Sequence, residues 1–288
     1  MKKKIGILAV SAAVCLAVAV LAFVAWVFWA NGALELTTYT VAAANLPAAF
    51  DGYRIAQISD LHNAQMGDGN EKLLKMLKEA KPDMIAITGD LVDSRNTDIS
   101  VALAFAQKAM QIAPCYYVPG NHEARLSQYE ELKEDLAALG VVVLENQSVE
   151  IERNGKNFLL LGVKDPSFQT DYLMGDAQTV MENCLKSLPA DRDTFTVLLS
   201  HRPELFDVYV AREVSLVLTG HAHGGQFRLP IVGGLVAPNQ GLFPQYDAGL
   251  FQEGETVMIV SRGIGSSIIP LRFCNRPEVV VVQLASKG

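Results

Sequence analysis

The stretch Met84-Ile85-Ala86-Ile87-Thr88-Gly89-Asp90-Leu91-Val92-Asp93 decides the reading of this chain. An uncharged run of strand length stops at Gly-Asp. Such a run reads as a strand buried on both faces, closed by a turn at the glycine. Asp90 is thereby delivered to the strand's carboxyl end, where α/β sheets gather their sites because several loops converge along one edge. The same figure recurs four times. Tyr53–Ser59 runs into Asp60 and His62, and Cys115–Val118 into Pro119-Gly120-Asn121-His122-Glu123. Phe195–Leu199 runs into Ser200-His201-Arg202-Pro203, and Val214–Thr219 into Gly220-His221-Ala222-His223.

All five histidines of the 288 residues fall in these blocks. One histidine beside a strand is ordinarily a solvated or core imidazole. Five out of five at strand ends, with two aspartates and an asparagine similarly placed, read as one site. Asp60, His62, Asp90, Asn121, His201, His221 and His223 are the candidate metal ligands, with His122 left over. Seven donors exceed the four of a single tetrahedral site. They suit two neighbouring cations if one carboxylate is shared, and the mixed imidazole, carboxylate and amide set accepts Mn, Fe or Zn. Paired metals about 3.5–4 Å apart are a recurring device of phosphoester hydrolysis.

Between the blocks the chain alternates strands and helices. Helices are expected over Asn70–Lys81, Ile99–Ile112, a stretch from a Ser127/Glu130 capping box to about Leu139, and Asp176–Ser187. Asn154-Gly155 marks a hairpin between strands near Ser148–Arg153 and Phe158–Val163. Val257–Ser261 and Val279–Leu284 are further strands. This α/β alternation is compatible with a sandwich or with a doubly wound sheet.

Asp-x-His at 60–62, Gly-Asp-x-x-Asp at 89–93, Gly-Asn-His-Glu at 120–123, Ser-His-Arg-Pro at 200–203 and Gly-His-x-His at 220–223 together resemble the calcineurin-like metallophosphoesterases. Gly220–Gln226 followed by Arg228-Leu229-Pro230 is similar to the bacterial membrane-associated branch. The resemblance spans about residues 40–285. It implies a four-layer αββα sandwich of two mixed sheets flanked by helices, and hydrolysis of phosphomonoesters or diesters by a hydroxide held between two divalent cations. It implies Asp60, His62 and His223 on one metal, Asn121, His201 and His221 on the other, and Asp90 bridging. His122 matches the family's catalytic histidine, and Asp93 is its candidate orienting carboxylate, with a plain turn role as the other reading. Asn63, Arg228 and Arg262 are weaker substrate-binding candidates, each more often a surface or strand-pairing residue, and Glu123 has an expected structural role.

From Ile5 to Ala30 no residue is charged, and Trp26, Phe28 and Trp29 stand at the far end. About 20 apolar helical residues cross a bilayer core, and the run exceeds the apolar region of a cleaved signal peptide. It reads as a transmembrane anchor over 5–30. With Lys2, Lys3 and Lys4 before it and no further Lys or Arg until Arg54, residues 1–4 are expected in the cytoplasm and the body outside. Residues 31–52 read as a stalk and 53–288 as the phosphoesterase domain.

The net charge of −7, despite the lysine triplet, argues against a surface that tracks nucleic-acid phosphates. No nucleic-acid partner is expected. A phosphoester substrate is, lipid-linked and cell-envelope phosphoesters included, acted on by a monomer. Half the residues are hydrophobic, which excludes disorder. Cys15 is expected to act only as a small hydrophobe within the span, and Cys115, Cys184 and Cys274 are expected as free, buried thiols. A serine hydrolase is disfavoured, since no Gly-x-Ser-x-Gly elbow is present. A non-catalytic metal-binding envelope protein on the same scaffold is the remaining alternative. The segment Phe227–Phe251, rich in Gly, Pro and apolar residues, reads as an ordinary long loop packed on the sheet, or else as a lid or lipid-facing lip.

Overall fold

The computed structural model describes residues 2–169, 176–189, 193–266 and 271–287. Helix α1, Lys2–Gly32, opens the chain and is followed by strand β1, Glu35–Ala43. The stretch expected as a stalk therefore supplies a nine-residue strand, whose alternating burial marks it as the half-covered edge of a sheet. Then come β2 (Arg54–Ile58), α2 (Glu71–Ala80), β3 (Met84–Thr88), α3 (Ser100–Ala109), β4 (Cys115–Val118), α4 (Tyr129–Ala138) and β5 (Val142–Val143). The second half runs β6 (Gln147–Arg153), β7 (Lys156–Gly162), α5 (Ala177–Lys186), β8 (Thr196–Leu199), α6 (Phe206–Ala211) and β9 (Leu216–Thr219). Two small hairpins follow, β10 (Arg228–Leu229) with β11 (Gly233–Gly234), and β12 (Val236–Ala237) with β13 (Gly241–Leu242). The chain closes with β14 (Gly249–Glu253), β15 (Thr256–Val260) and β16 (Glu278–Ser286).

Two six-stranded mixed sheets result, ordered β1-β16-β2-β3-β4-β5 and β14-β15-β9-β8-β7-β6. The strands β3, β8, β9 and β15 are buried at every position, which is why each reads as an unbroken apolar run. Three cores separate four layers. Ile85, Ile87, Leu73, Phe105 and Leu132 fill the space between the first sheet and α2–α4. Ile55, Met84, Phe158, Leu199, Leu218 and Ile259 fill the space between the sheets. Leu198, Val217, Met181 and Tyr209 fill that between the second sheet and α5–α6. The molecule is thus the αββα sandwich of the metallophosphoesterase fold. Helix α4 departs from its expected start, because no side chain caps it and Ser127 makes no capping box. Buried Leu126 and Tyr129 anchor that end instead, the Tyr129 amide donating to the Leu126 carbonyl. The expectation of free, buried thiols holds for Cys115 and Cys184 but not for Cys274, which is exposed.

In the cores of both sheets the strands run parallel, so β2, β3, β4, β8 and β9 end at one rim. Buried Gln57 ties the sheets together there: its Nε2 donates to the Thr88 hydroxyl at 3.0 Å and to the Thr219 carbonyl, on the other sheet, at 2.8 Å.

Candidate metal centre

Every side chain expected in the site lies at that rim. Asp60 and His62 follow β2, Asp90 and Asp93 follow β3, and Asn121 and His122 follow β4. His201 follows β8, and His221 and His223 follow β9. The turns that aim them are tight. Asp60, His62, Asp90, His221 and His223 all adopt positive φ between 46° and 64°, a conformation costing non-glycine residues about 1–3 kcal/mol and concentrated at functional sites. The glycines in the motifs make room. A Cβ on Gly220 would strike the Asp60 carboxylate and Ser59, and one on Gly120 would strike Asp90.

The donors fall into two clusters. In the first, His223 Nε2 is 3.3 Å from Asp60 Oδ1 and 3.2 Å from His62 Nε2. In the second, His201 Nε2 is 3.2 Å from both Asp90 Oδ2 and Asn121 Oδ1, and His221 stands beside Asp90 and His201. Asp90 Oδ2 also lies 3.6 Å from His62 Nε2, so one carboxylate oxygen faces both clusters. The His201 Nδ1–H donates to the Thr88 carbonyl at 2.7 Å, which turns the Nε2 lone pair inward.

The charges suit cations. Asp60 and Asp90 are fully buried, and among the described residues both pair with imidazoles and not with lysine or arginine. Burial, with repulsion from Asp90, pushes the Asp60 carboxyl up to about 6. Burial works against charge on His201 too, but the Asp90 and Asp60 carboxylates outweigh it and raise that imidazole to about 10. A proton is thus drawn to a place that lacks positive charge. Burial pushes His62 down to about 4 and His221 and His223 well below their ordinary range, leaving neutral rings with free lone pairs. Buried carboxylates facing neutral imidazoles are a donor set for divalent metal.

The His122 backbone N–H donates to Asp90 Oδ1 at 2.9 Å, and its ring stands 4.5 Å from that of His62. Its Nδ1 accepts from the Ser94 backbone N–H at 3.0 Å, while Asp93 Oδ1 is 3.4 Å away. Asp93 is occupied chiefly with Arg95, accepting from its backbone N–H and its Nε, both at 2.9 Å. Glu123 accepts from three backbone N–H groups, those of Gly120, Asp90 and Val92, and so locks the turns that carry Asp90 and Asn121 together. Asn63 ties Asp93 to the 96–98 turn, Arg228 pairs with Asp247, and Arg262 pairs with Glu278 and Glu35.

Sequence reasoning assigned no role to several residues that structure brings in. Arg202, nearly fully buried, pairs with Asp165 and turns Nη1 to within 3.3 Å of His221 Nε2. Asn239, at the tip of the second small hairpin, places Oδ1 3.2 Å from the same nitrogen. Arg272 brings Nη2 to 3.4 Å from His223 Nδ1. Only Arg202 carried a signal, standing next to His201 in a motif block. Asp165 and Arg272 lie 37 and 49 residues from their partners.

The calcineurin-like phosphoesterase family profile matches residues 53–225. The chain is 31% identical over 261 residues to the uncharacterized metallophosphoesterase YkuE of Bacillus subtilis, covering 88% of this chain and 86% of that one. It is 30% identical over 210 residues to phosphodiesterase YaeI of Escherichia coli, covering 72% of each. It is 29% identical over 260 residues to the transmembrane protein with metallophosphoesterase domain of Bos taurus, covering 85% of this chain and 55% of that one. The chain belongs to the calcineurin-like phosphoesterase family.

Proposed function

We propose that this protein hydrolyses phosphoester bonds at a dinuclear metal centre held at the outer face of a membrane. Asp60, His62 and His223 would hold one divalent cation, Asn121, His201 and His221 the other, and Asp90 would serve both. The observation that carries this reading is the single Asp90 oxygen within 3.6 Å of His62 Nε2 and 3.2 Å of His201 Nε2. Such a pair of cations, when bound, would lower the pKa of bound water and neutralise phosphoryl charge. Mn, Fe or Zn all suit these donors.

The chain's own residues supply the rest. The Ser94 amide donates to His122 Nδ1, so on the neutral ring the proton rests on Nε2. That N–H is the group we assign to donate a hydrogen bond to the departing oxygen as its bond to phosphorus breaks, a role worth roughly 10²–10³-fold in rate. Asp93 shapes the turn that carries Ser94 through its bonds to Arg95. Asp165 and Arg202 hold His221 in place from behind. Residues 5–30 form the anchor of this reading and 53–288 the phosphoesterase domain, with β1 completing its first sheet. The Lys2–Lys4 triplet favours a cytoplasmic N-terminus, and the helix over Ser11–Gly32 has mean hydropathy 2.5 with 6% of it buried against the body.

The experiment is to purify the full chain in detergent, count bound metal, and assay bis(p-nitrophenyl) phosphate with and without chelator. Two equivalents of metal and chelator-sensitive turnover are expected. Turnover that survives complete removal of metal would overturn the proposal.

A further inference from the structure

The two small hairpins stand between the metal centre and the membrane helix. At their base, Gly234 packs on Gly225 so closely that a Cβ on either would clash, and the Leu235 N–H donates to the Gly225 carbonyl two residues after His223. From there the chain runs from Leu229 to Tyr246 without one charged residue. Arg228 and Asp247, at the two ends of that stretch, pair with each other at 2.9 Å. Ala237 packs into the third core and Tyr246 against it, but the tips present apolar side chains outward: Ile231, at the first tip, is fully exposed, Leu242 is 73% exposed and Phe243 64%. Ile231 does this at a φ of 73°, a costly conformation for a β-branched residue and one that packing does not explain.

The other side of the same structure touches α1. Phe273 bridges to Phe227, and its carbonyl accepts from the Arg228 N–H at 2.9 Å. Its ring packs on Trp26 at 5.9 Å and Phe23 at 6.1 Å. Asn31 brackets Arg272 by accepting from its N–H and donating to its carbonyl, and Arg276 donates to the carbonyls of Ala33 and Leu34. The body is therefore fastened along the helix, not merely strung from its end. At 1.5 Å per residue, Trp26 and Phe23 lie about 9 and 14 Å back from Gly32 along the axis. A segment that must cross about 30 Å of hydrocarbon puts those levels at the interface and just inside it.

We infer that β10–β11 and β12–β13 form a lip that enters the outer leaflet, and that the metal centre acts on a phosphoester whose apolar part remains in that leaflet. The occupant is the bilayer because the lip is continuous, through Phe273, with the helix that lies in it. An exposed apolar surface of this kind signals an interaction site, and interfacial elements of this kind sink about 5–10 Å. Asn239, on the second hairpin, carries the lip to His221, so a phosphoester at headgroup level meets the site without leaving the membrane.

This rests on the phosphoesterase reading for its substrate but not for its geometry, and the test separates them. Full-length chain with Cys15 and Cys274 replaced by alanine is reconstituted into vesicles of phosphatidylcholine with some phosphatidylglycerol. A nitrobenzoxadiazole label is placed at Ile231→Cys or, as control, at Glu79→Cys on exposed α2. Lipid-borne doxyl groups should quench the label at 231 and leave that at 79 unaffected. Equal quenching would overturn the lip. In parallel, wild type and Ile231→Asp are given p-nitrophenyl phosphatidate in vesicles and soluble bis(p-nitrophenyl) phosphate, which share a leaving group. The ratio of lipid to soluble turnover should fall at least tenfold in the variant. An unchanged ratio overturns the lipid substrate. Failure of wild type on both esters overturns the phosphoesterase reading and leaves the quenching result standing.

Discussion

The two sheets meet at one rim but bring different chemistry to it. The first contributes both buried carboxylates, the asparagine amide, His62 and His122; the second contributes three imidazoles and no acid. Neither cluster is complete within one sheet, since Asp60 and His62 need His223, and Asp90 needs His201 and His221. A cation bound in either cluster would therefore clasp the sandwich. The ladders within each sheet carry its own stability, whereas the joint between sheets depends at this rim on Gln57, on His201 bonding to Thr88, and on whatever sits among the carboxylates.

The sharpest way to break the asymmetry is on the acidic side. Asp90→Asn keeps the shape but halves the charge that both clusters see. Turnover of an aryl phosphodiester should fall by roughly 10³-fold or more, the several kcal/mol that bound metal supplies, and metal analysis should show depletion. Next in size is His122→Ala on the same sheet, expected to lose roughly 10²–10³-fold in kcat while metal content stays at the wild-type level. Equal metal loss in both variants would mean that His122 is a ligand.

The second sheet is probed from behind. Burial works against charge on Asp165, yet Arg202 beside it holds its carboxyl down to about 2. Asp165→Asn removes the buried carboxylate that Arg202 pairs with, although Glu204 stays 3.2 Å from its Nη1, and should cost about 3 kcal/mol at neutral pH. Because the folded carboxyl titrates below its ordinary 3.8, this contribution is whole above that pH and drains away as the pH falls toward 2. Chemical unfolding at stepped pH should therefore show the gap between variant and wild type closing below about pH 4. The smallest effect concerns the clasp itself. Metal at a hundredfold excess over its Kd adds about 2.7 kcal/mol, so chelation should lower Tm by roughly 5 °C in a chain this size, with the loss reversed on reloading.

Most of the candidate site was legible because a donor side chain at a strand end leaves two local marks, an apolar run and a small or turn-forming residue beside the donor. Gly89-Asp90, Gly120-Asn121 and Gly220-His221 each carry both marks, and each glycine proves sterically tied to the site. What stayed hidden acts across long separations. Nothing near Asp165 announces Arg202, and nothing near Arg272 announces His223. Glu123 was placed as structural, but its grip on three backbone amides is a property of two turns meeting, which spacing does not reveal. Strand β1 did leave a mark, since Leu36-Thr37-Thr38-Tyr39-Thr40-Val41 is rich in β-formers. It reads as a stalk only because its partner, β16, lies more than two hundred residues away.

That partnership reaches into how the protein is made. β16 is the final strand in order, yet it pairs with β1 on one flank and β2 on the other. A nascent chain must therefore carry two open strands, one directly beside the N-terminal apolar helix, until Ser286 has been synthesised. Ribosomes that stall before Glu278 would release products with unsatisfied backbone on both sides of a missing ribbon, a feature that quality-control proteases and neighbouring copies can both seize.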